Sequence, residues 1–432
     1  MRLLYAIFHV IMAFTFMVVV QARADEIIRP EEVKSKRQVV YDQATYDRLS
    51  NLWQEYHNAY PSEYAYANWM YASRYAGHEN YPQLLKKGLE KYPANPTLLY
   101  LTAMNVERTT GDDAKARRLY ERAVELDPSY IDPWFSLVIL NMASGEREKL
   151  ELSLRKLLES GAVSDEIMDF NYNVLAGLDS NAILITNGDN DTYPAWILTQ
   201  SVGFRSDITI VNRSLLNMAW YPTYVIKQGV PHFLGNRGSA ALRESIIEAQ
   251  TEGDMPRSPG GPLGDTLIKR IVASAERAGR PVYFAKTLAI SEPLRDLYEE
   301  GFDAGLAVLV TEPTKPSGRY LRELYTRWVN DFRTGGLQSW HLREASPATA
   351  GQRWIAPNYA YGIAANLASL KEEAPDLIPA LFRWYLEYVD PLLVDQVRLR
   401  AGQAWACYGS DVKEVVSWCR KKGFICPKQK AQ

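Results

Sequence analysis

Residues 182–196, Ala-Ile-Leu-Ile-Thr-Asn-Gly-Asp-Asn-Asp-Thr-Tyr-Pro-Ala-Trp, decide how the middle of this chain is read. The run 182–186 is apolar and rich in β-branched residues, which predicts a short buried strand. Asn187, Asp189, Asn190 and Asp191 follow on a polar turn, and 193–202 resumes the spacing of a helix. Ligands of open α/β sheets bind at such strand-to-helix turns. The turn therefore marks a candidate site without naming its chemistry.

The alternation continues outward from this point. Residues 207–212, 282–285 and 305–310 read as further strands, with helices expected at 220–228 and 266–278. Apolar strands alternating with helices predict a central parallel-sheet, three-layer α/β (Rossmann-like) domain over 164–315. Asn212, Ser214 and Asn217 follow the second strand and are expected to line one crevice with Asp189. Trp220 and Tyr221 offer rings for a sugar or peptide, or simply for the core. Lys286 ends the third strand, either facing an anion or solvated. Residues 229–264 are dense in Gly and Pro and predict a long loop, a candidate lid, with one helix at 240–249.

Residues 40–163 carry a period. Gly77, Gly111 and Gly145 each lie 34 residues from the next, the length of a tetratricopeptide repeat. After Gly111, Ala116, Tyr120, Ala123 and Pro128 supply its small, aromatic, small and helix-breaking positions. Trp134 and Leu137 open the following unit, and Tyr66, Trp69, Tyr81, Leu85, Gly88 and Pro93 belong to the preceding one. Such units bury their apolar faces only against one another, and their stacks present a concave surface to partners. Residues 316–432 read as a helical C-terminal region.

Met1-Arg2, the apolar run 3–20 and Ala22-Arg23-Ala24 form the pattern of a signal peptide over 1–24, cleaved before Asp25, with an uncleaved membrane anchor as the alternative. No later segment is apolar enough to predict a membrane span. This places the mature chain in a periplasm or outside the cell. Asn190-Asp191-Thr192 and Asn212-Arg213-Ser214 fit the glycosylation pattern inside the proposed site, which favours a bacterial periplasm. A net charge of −2, with 49 basic and 51 acidic residues, excludes a nucleic-acid footprint. Cys407, Cys419 and Cys426 allow one disulfide and leave one thiol; which two pair is left open.

The residues 187–196, 207–212, 214–217 and 220–221, followed in order by 280–285 and 305–307, resemble the soluble C-terminal region of the DUF2723 family. That resemblance covers about 135 residues. Full-length members are similar to protein O-mannosyltransferases, membrane glycosyltransferases with this soluble region appended. The membrane part has no counterpart here, so the resemblance implies a periplasmic α/β module joined to helical repeats, and not glycosyl transfer itself.

Three roles stand side by side for the turn. Asp191 or Thr192 caps the helix, with Gly188 supplying a positive φ; or the turn binds a ligand; or Asp189 and Asp191 act in catalysis. Their oxygen-rich set would suit a divalent cation as cofactor. The first functional reading is an exported protein that binds a cell-envelope protein or glycan through its repeats and crevice. The alternative is a metal-assisted hydrolase or transferase acting on envelope sugars or phosphoesters at Asp189 and Asp191.

Overall fold

The computed structural model describes residues 27–427 apart from 38, 312–317, 339–349, and 236–260 other than Gly238, Ala241 and Glu244. The expected signal segment and most of the expected loop helix at 240–249 lie outside the described residues. The chain divides into two compact units, the first ending at Leu140 and the second beginning at Asn141.

The first unit is built from helices paired as hairpins: α1 (Gln43–Ala59), α2 (Glu63–Ala76), α3 (Tyr81–Lys91), α4 (Pro96–Thr110) and α5 (Asp113–Leu126). It ends within α6 (Asp132–Ser144). The periodic glycines have a backbone reason. Gly77, Gly111 and Gly145 follow α2, α4 and α6 with φ of 77°, 64° and 75°, the left-handed region that strains any residue with a Cβ. Helix starts are set by side chains: Ser62, Asn95 and Asp112 each accept an N–H from the first turn. Ala116, Tyr120 and Ala123 are wholly buried, as the repeat pattern requires. Gly88 lets α3 lie against the Tyr66 ring; a Cβ there would sit 2.2 Å from Tyr66 Cε1.

The second unit opens with α7 (Arg147–Glu159) and α8 (Asp165–Gly177), then reaches β1 (Ile183–Thr186). Next come α9 (Asp189–Trp196), a π-helical turn Ile197–Val202, β2 (Thr209–Asn212) and α10 (Tyr221–Lys227). After the long loop, α11 (Pro262–Arg277), β3 (Val282–Ala285), α12 (Arg295–Glu299), β4 (Phe302–Asp303) and β5 (Ala307–Leu309) complete a five-stranded sheet. Its order is β2-β1-β3-β5-β4.

The sheet is mixed, and this corrects the expectation of a parallel one. β1 pairs parallel with β2 and β3, but β5 runs antiparallel to both β3 and β4. The cause is the tight link Ala304-Gly305-Leu306, in which Gly305 adopts φ 81° and turns the chain straight back. β1, β2 and β3 are buried along their whole length, as their apolar sequences predict.

The C-terminal region is helical, with α13 (Gly318–Asn330), α14 (Gly335–Gln338), α15 (Ala350–Glu373), α16 (Ile378–Tyr388), α17 (Asp395–Tyr408) and α18 (Lys413–Lys422). A disulfide joins Cys407 at the end of α17 to Cys426 beyond α18, and Cys419 is a buried free thiol. Among the described residues no helix is long and apolar enough to cross a membrane.

Candidate functional site

The polar turn after β1 is knitted together at the carboxyl ends of the three parallel strands. Asp191 is 4% exposed, and its carboxylate accepts the N–H groups of Asn187 and Gly188, both at 2.8 Å, and the Thr287 hydroxyl. Burial raises its pKa, and these donors oppose the rise. Thr192 shares a 2.7 Å hydrogen bond with Thr186 and accepts Asn212 Nδ2 at 2.9 Å. Asn212 in turn accepts the Leu215 N–H at 2.9 Å, and its own N–H donates to the Tyr221 hydroxyl at 2.9 Å.

The helix begins four residues earlier than expected, at Asp189, with Gly188 as its N-cap. Asp191 caps from the third helical position by reaching back to Gly188 N–H, and Gly188 takes φ −150° rather than a positive value. Asp189 and Asn190 are exposed on the first turn, and the Asn190 carbonyl accepts Asn171 Nδ2 at 2.8 Å. Asn187 accepts Ala289 N–H at 3.4 Å through Oδ1. Ser214 is exposed, and Asn217 accepts Gly264 N–H at 3.1 Å. Tyr221 is wholly buried, with Trp220 edge-on to its ring. The Lys286 side chain, 8% exposed, is paired with Asp303.

The structure thus brings Asn187, Asp191 and Asn212 together with Thr287, and holds Asn217 against the start of α11. Among the described residues no group of three or more His, Cys, Asp or Glu is arranged to hold a metal. Behind the turn lies an ion pair that sequence reading passed over. Arg213, 1% exposed, donates to Asp265 at 2.6 and 2.8 Å and also to the Ala289 carbonyl, while Asp265 accepts the Ser291 hydroxyl at 2.7 Å.

A second location, in the first unit, has the geometry of a docking groove. A cavity of about 830 Å³ runs along α2 and the starts of α4 and α6, lined by Tyr64, Asn68, Tyr71, Asn95, Thr97 and Tyr130. One wall of it is the chain's own segment 29–37, which follows no helix or strand. Val33 N–H donates to Asn68 Oδ1 at 2.8 Å, and Lys36 N–H to the Tyr71 hydroxyl at 2.9 Å. Trp53 Nε1 donates to the Glu31 carbonyl at 2.9 Å. The Ser35 hydroxyl donates to Asp132, which also accepts Tyr71 OH at 2.9 Å and Tyr130 OH at 3.3 Å. Arg29 stacks over Tyr64, Lys36 over Tyr75 and Arg37 over Phe135. Burial raises the Asp132 pKa against the pull of these hydroxyls and of Arg37, and it holds the Tyr71 hydroxyl protonated.

A further cavity of about 600 Å³ lies in the second unit between α7 and the π-helical turn, with Arg147, Glu151, Gln200 and Tyr224 on its walls. Neither it nor the segment 29–37 carries a periodic sequence signal.

Residues 97–140, from α4 into α6, match the tetratricopeptide repeat family, in agreement with the helical pairs of the first unit. Repeats of this class are surfaces for protein–protein contact. Residues 167–228, from α8 through α10, match TMEM260-associated domain 2. Neither match carries the DUF2723 name, and no curated protein matches the chain.

Proposed function

We propose that this is an exported, periplasmic protein that binds a cell-envelope protein or its glycan through the repeat groove and, separately, through the crevice at the β1 turn. The observation that carries the reading is the groove itself: Asn68, Tyr71 and Trp53 hydrogen-bond main-chain atoms of a segment that lies outside any helix or strand. Groups placed in this way recognise a peptide irrespective of most of its side chains. The apolar run 3–20 with Ala22-Arg23-Ala24, and the resemblance of blocks between 187 and 307 to the DUF2723 soluble region, support the envelope address.

The alternative, metal-assisted hydrolysis or transfer at Asp189 and Asp191, has weaker support. Asp191 already spends its oxygens on Asn187, Gly188 and Thr287, leaving Asp189 as the exposed carboxylate.

Photo-cross-linking tests the binding reading. A reactive side chain at Thr97, on the groove wall, should give discrete adducts with envelope protein in cells. The same group at Glu90, exposed on α3, should not, and Asn68→Ala should abolish the Thr97 adducts. Identical patterns from both positions would sink the proposal.

A further inference from the structure

Resting on the groove reading, we propose that residues 29–37 are a tethered competitor that occupies the repeat groove in place of a partner. That partner is a peptide with a β-branched apolar residue, then a Ser or Thr two residues on, followed by basic residues in a turn.

The partner's chemistry is read from the segment now seated there. Its anchors are a carbonyl (Glu31), two N–H groups (Val33, Lys36), one buried apolar side chain (Val33) and one hydroxyl (Ser35). The basic residues Lys36 and Arg37 are met by the rings of Tyr75 and Phe135. A peptide carrying this pattern would find the same contacts.

Two features make the segment displaceable. Glu31, Glu32, Lys34, Lys36 and Arg37 are exposed, so Val33 is its one deeply buried side chain. The groove also extends past it: Asn95, Thr97, Asp127 and Ser129 line space that residues 29–37 border but do not fill. A longer partner peptide takes up the shared anchors and this extra space together. The tether's advantage is its high effective concentration, and it lowers the partner's apparent affinity by the fraction of time it stays seated.

The test uses a fluorescent peptide of residues 27–37, Ile-Ile-Arg-Pro-Glu-Glu-Val-Lys-Ser-Lys-Arg, titrated against the full mature chain. In Val33→Asp/Ser35→Asp the segment would have to bury one carboxylate at the Val33 position and set another against Asp132, and it is expelled. This variant should bind the peptide at least ~10-fold tighter than wild type, and adding Asn68→Ala should remove the gain. Equal binding by variant and wild type, or no binding by the variant, overturns the proposal. Cross-linking at Thr97 decides the groove reading independently of either result. If the variant does not fold, amide exchange in wild type replaces it. Saturating peptide should speed exchange at Val33 and Lys36 by at least ~10-fold, and unchanged rates overturn the proposal.

Discussion

Ser35 donates its hydroxyl to Asp132, a residue 97 positions further along the chain and itself 1% exposed. The bond ties a segment with no secondary structure to the first residue of α6. Here a buried carboxylate reads a side chain of the segment, whereas Asn68 and Tyr71 read its main chain.

That carboxylate predicts a pH dependence. Burial raises the Asp132 pKa above its unfolded value, so the native state holds the proton longer. Stability from this group therefore falls as pH rises from the ordinary carboxylate range through the raised value, and is flat above it. Asp132→Asn removes the effect. Melting curves at about pH 7 and about pH 4 should move the difference between the two proteins in favour of wild type at the lower pH. A difference independent of pH would refute the assignment.

The β1 turn separates structural from functional carboxylates. Asp191→Ala strands the N–H groups of Asn187 and Gly188 and should cost ~2–4 kcal/mol. Asp189→Asn, on an exposed residue, should stay within ~0.5 kcal/mol. Urea midpoints of both variants check this, and equal losses would show the turn is held otherwise.

Arg213 and Asp265 carry a larger penalty. Asp265→Ala leaves a guanidinium buried without its carboxylate and should lose ~3–5 kcal/mol. Arg213→Met combined with Asp265→Leu should recover most of that loss, because a buried pair replaced by apolar groups is often neutral. A double variant no better than the single one would contradict this.

Gly88→Ala sets two effects against each other. Alanine favours a helix interior by up to ~1 kcal/mol. Its Cβ would sit 2.2 Å from a Tyr66 ring already fixed by Trp69 and His57, and overpacking costs ~1–3 kcal/mol. The clash should win, lowering the thermal midpoint. Tyr66→Leu in the same background should return part of it.

Much of the first unit was legible because its signals are backbone demands. A left-handed cap needs glycine, so Gly77, Gly111 and Gly145 announce the repeat length, and wholly buried Ala116 and Tyr120 follow from helix approach. The segment 29–37 was not legible, since an irregular chain held by side chains from distant helices has no period. Strand order and direction were hidden too. The strand over 305–310 looks the same in either direction, and only the Gly305 link, read as a hairpin, would have given its sense. At the β1 turn the residue types marked a strand-to-helix turn, where Asp191 caps the helix and Thr192 joins Asn212. The burial of Arg213 was invisible because its partner lies 52 residues away and a paired arginine reads like a solvated one.

Hydrogen exchange of the wild-type chain tests the central claim most directly. With residues 29–37 seated in the groove, the Val33 and Lys36 amides, which donate to Asn68 and Tyr71, should exchange at least ~10-fold more slowly than in the free peptide. Asn68→Ala should release Val33. Exchange of both amides at the free-peptide rate would contradict the account, leaving the groove open and its internal occupant unbound.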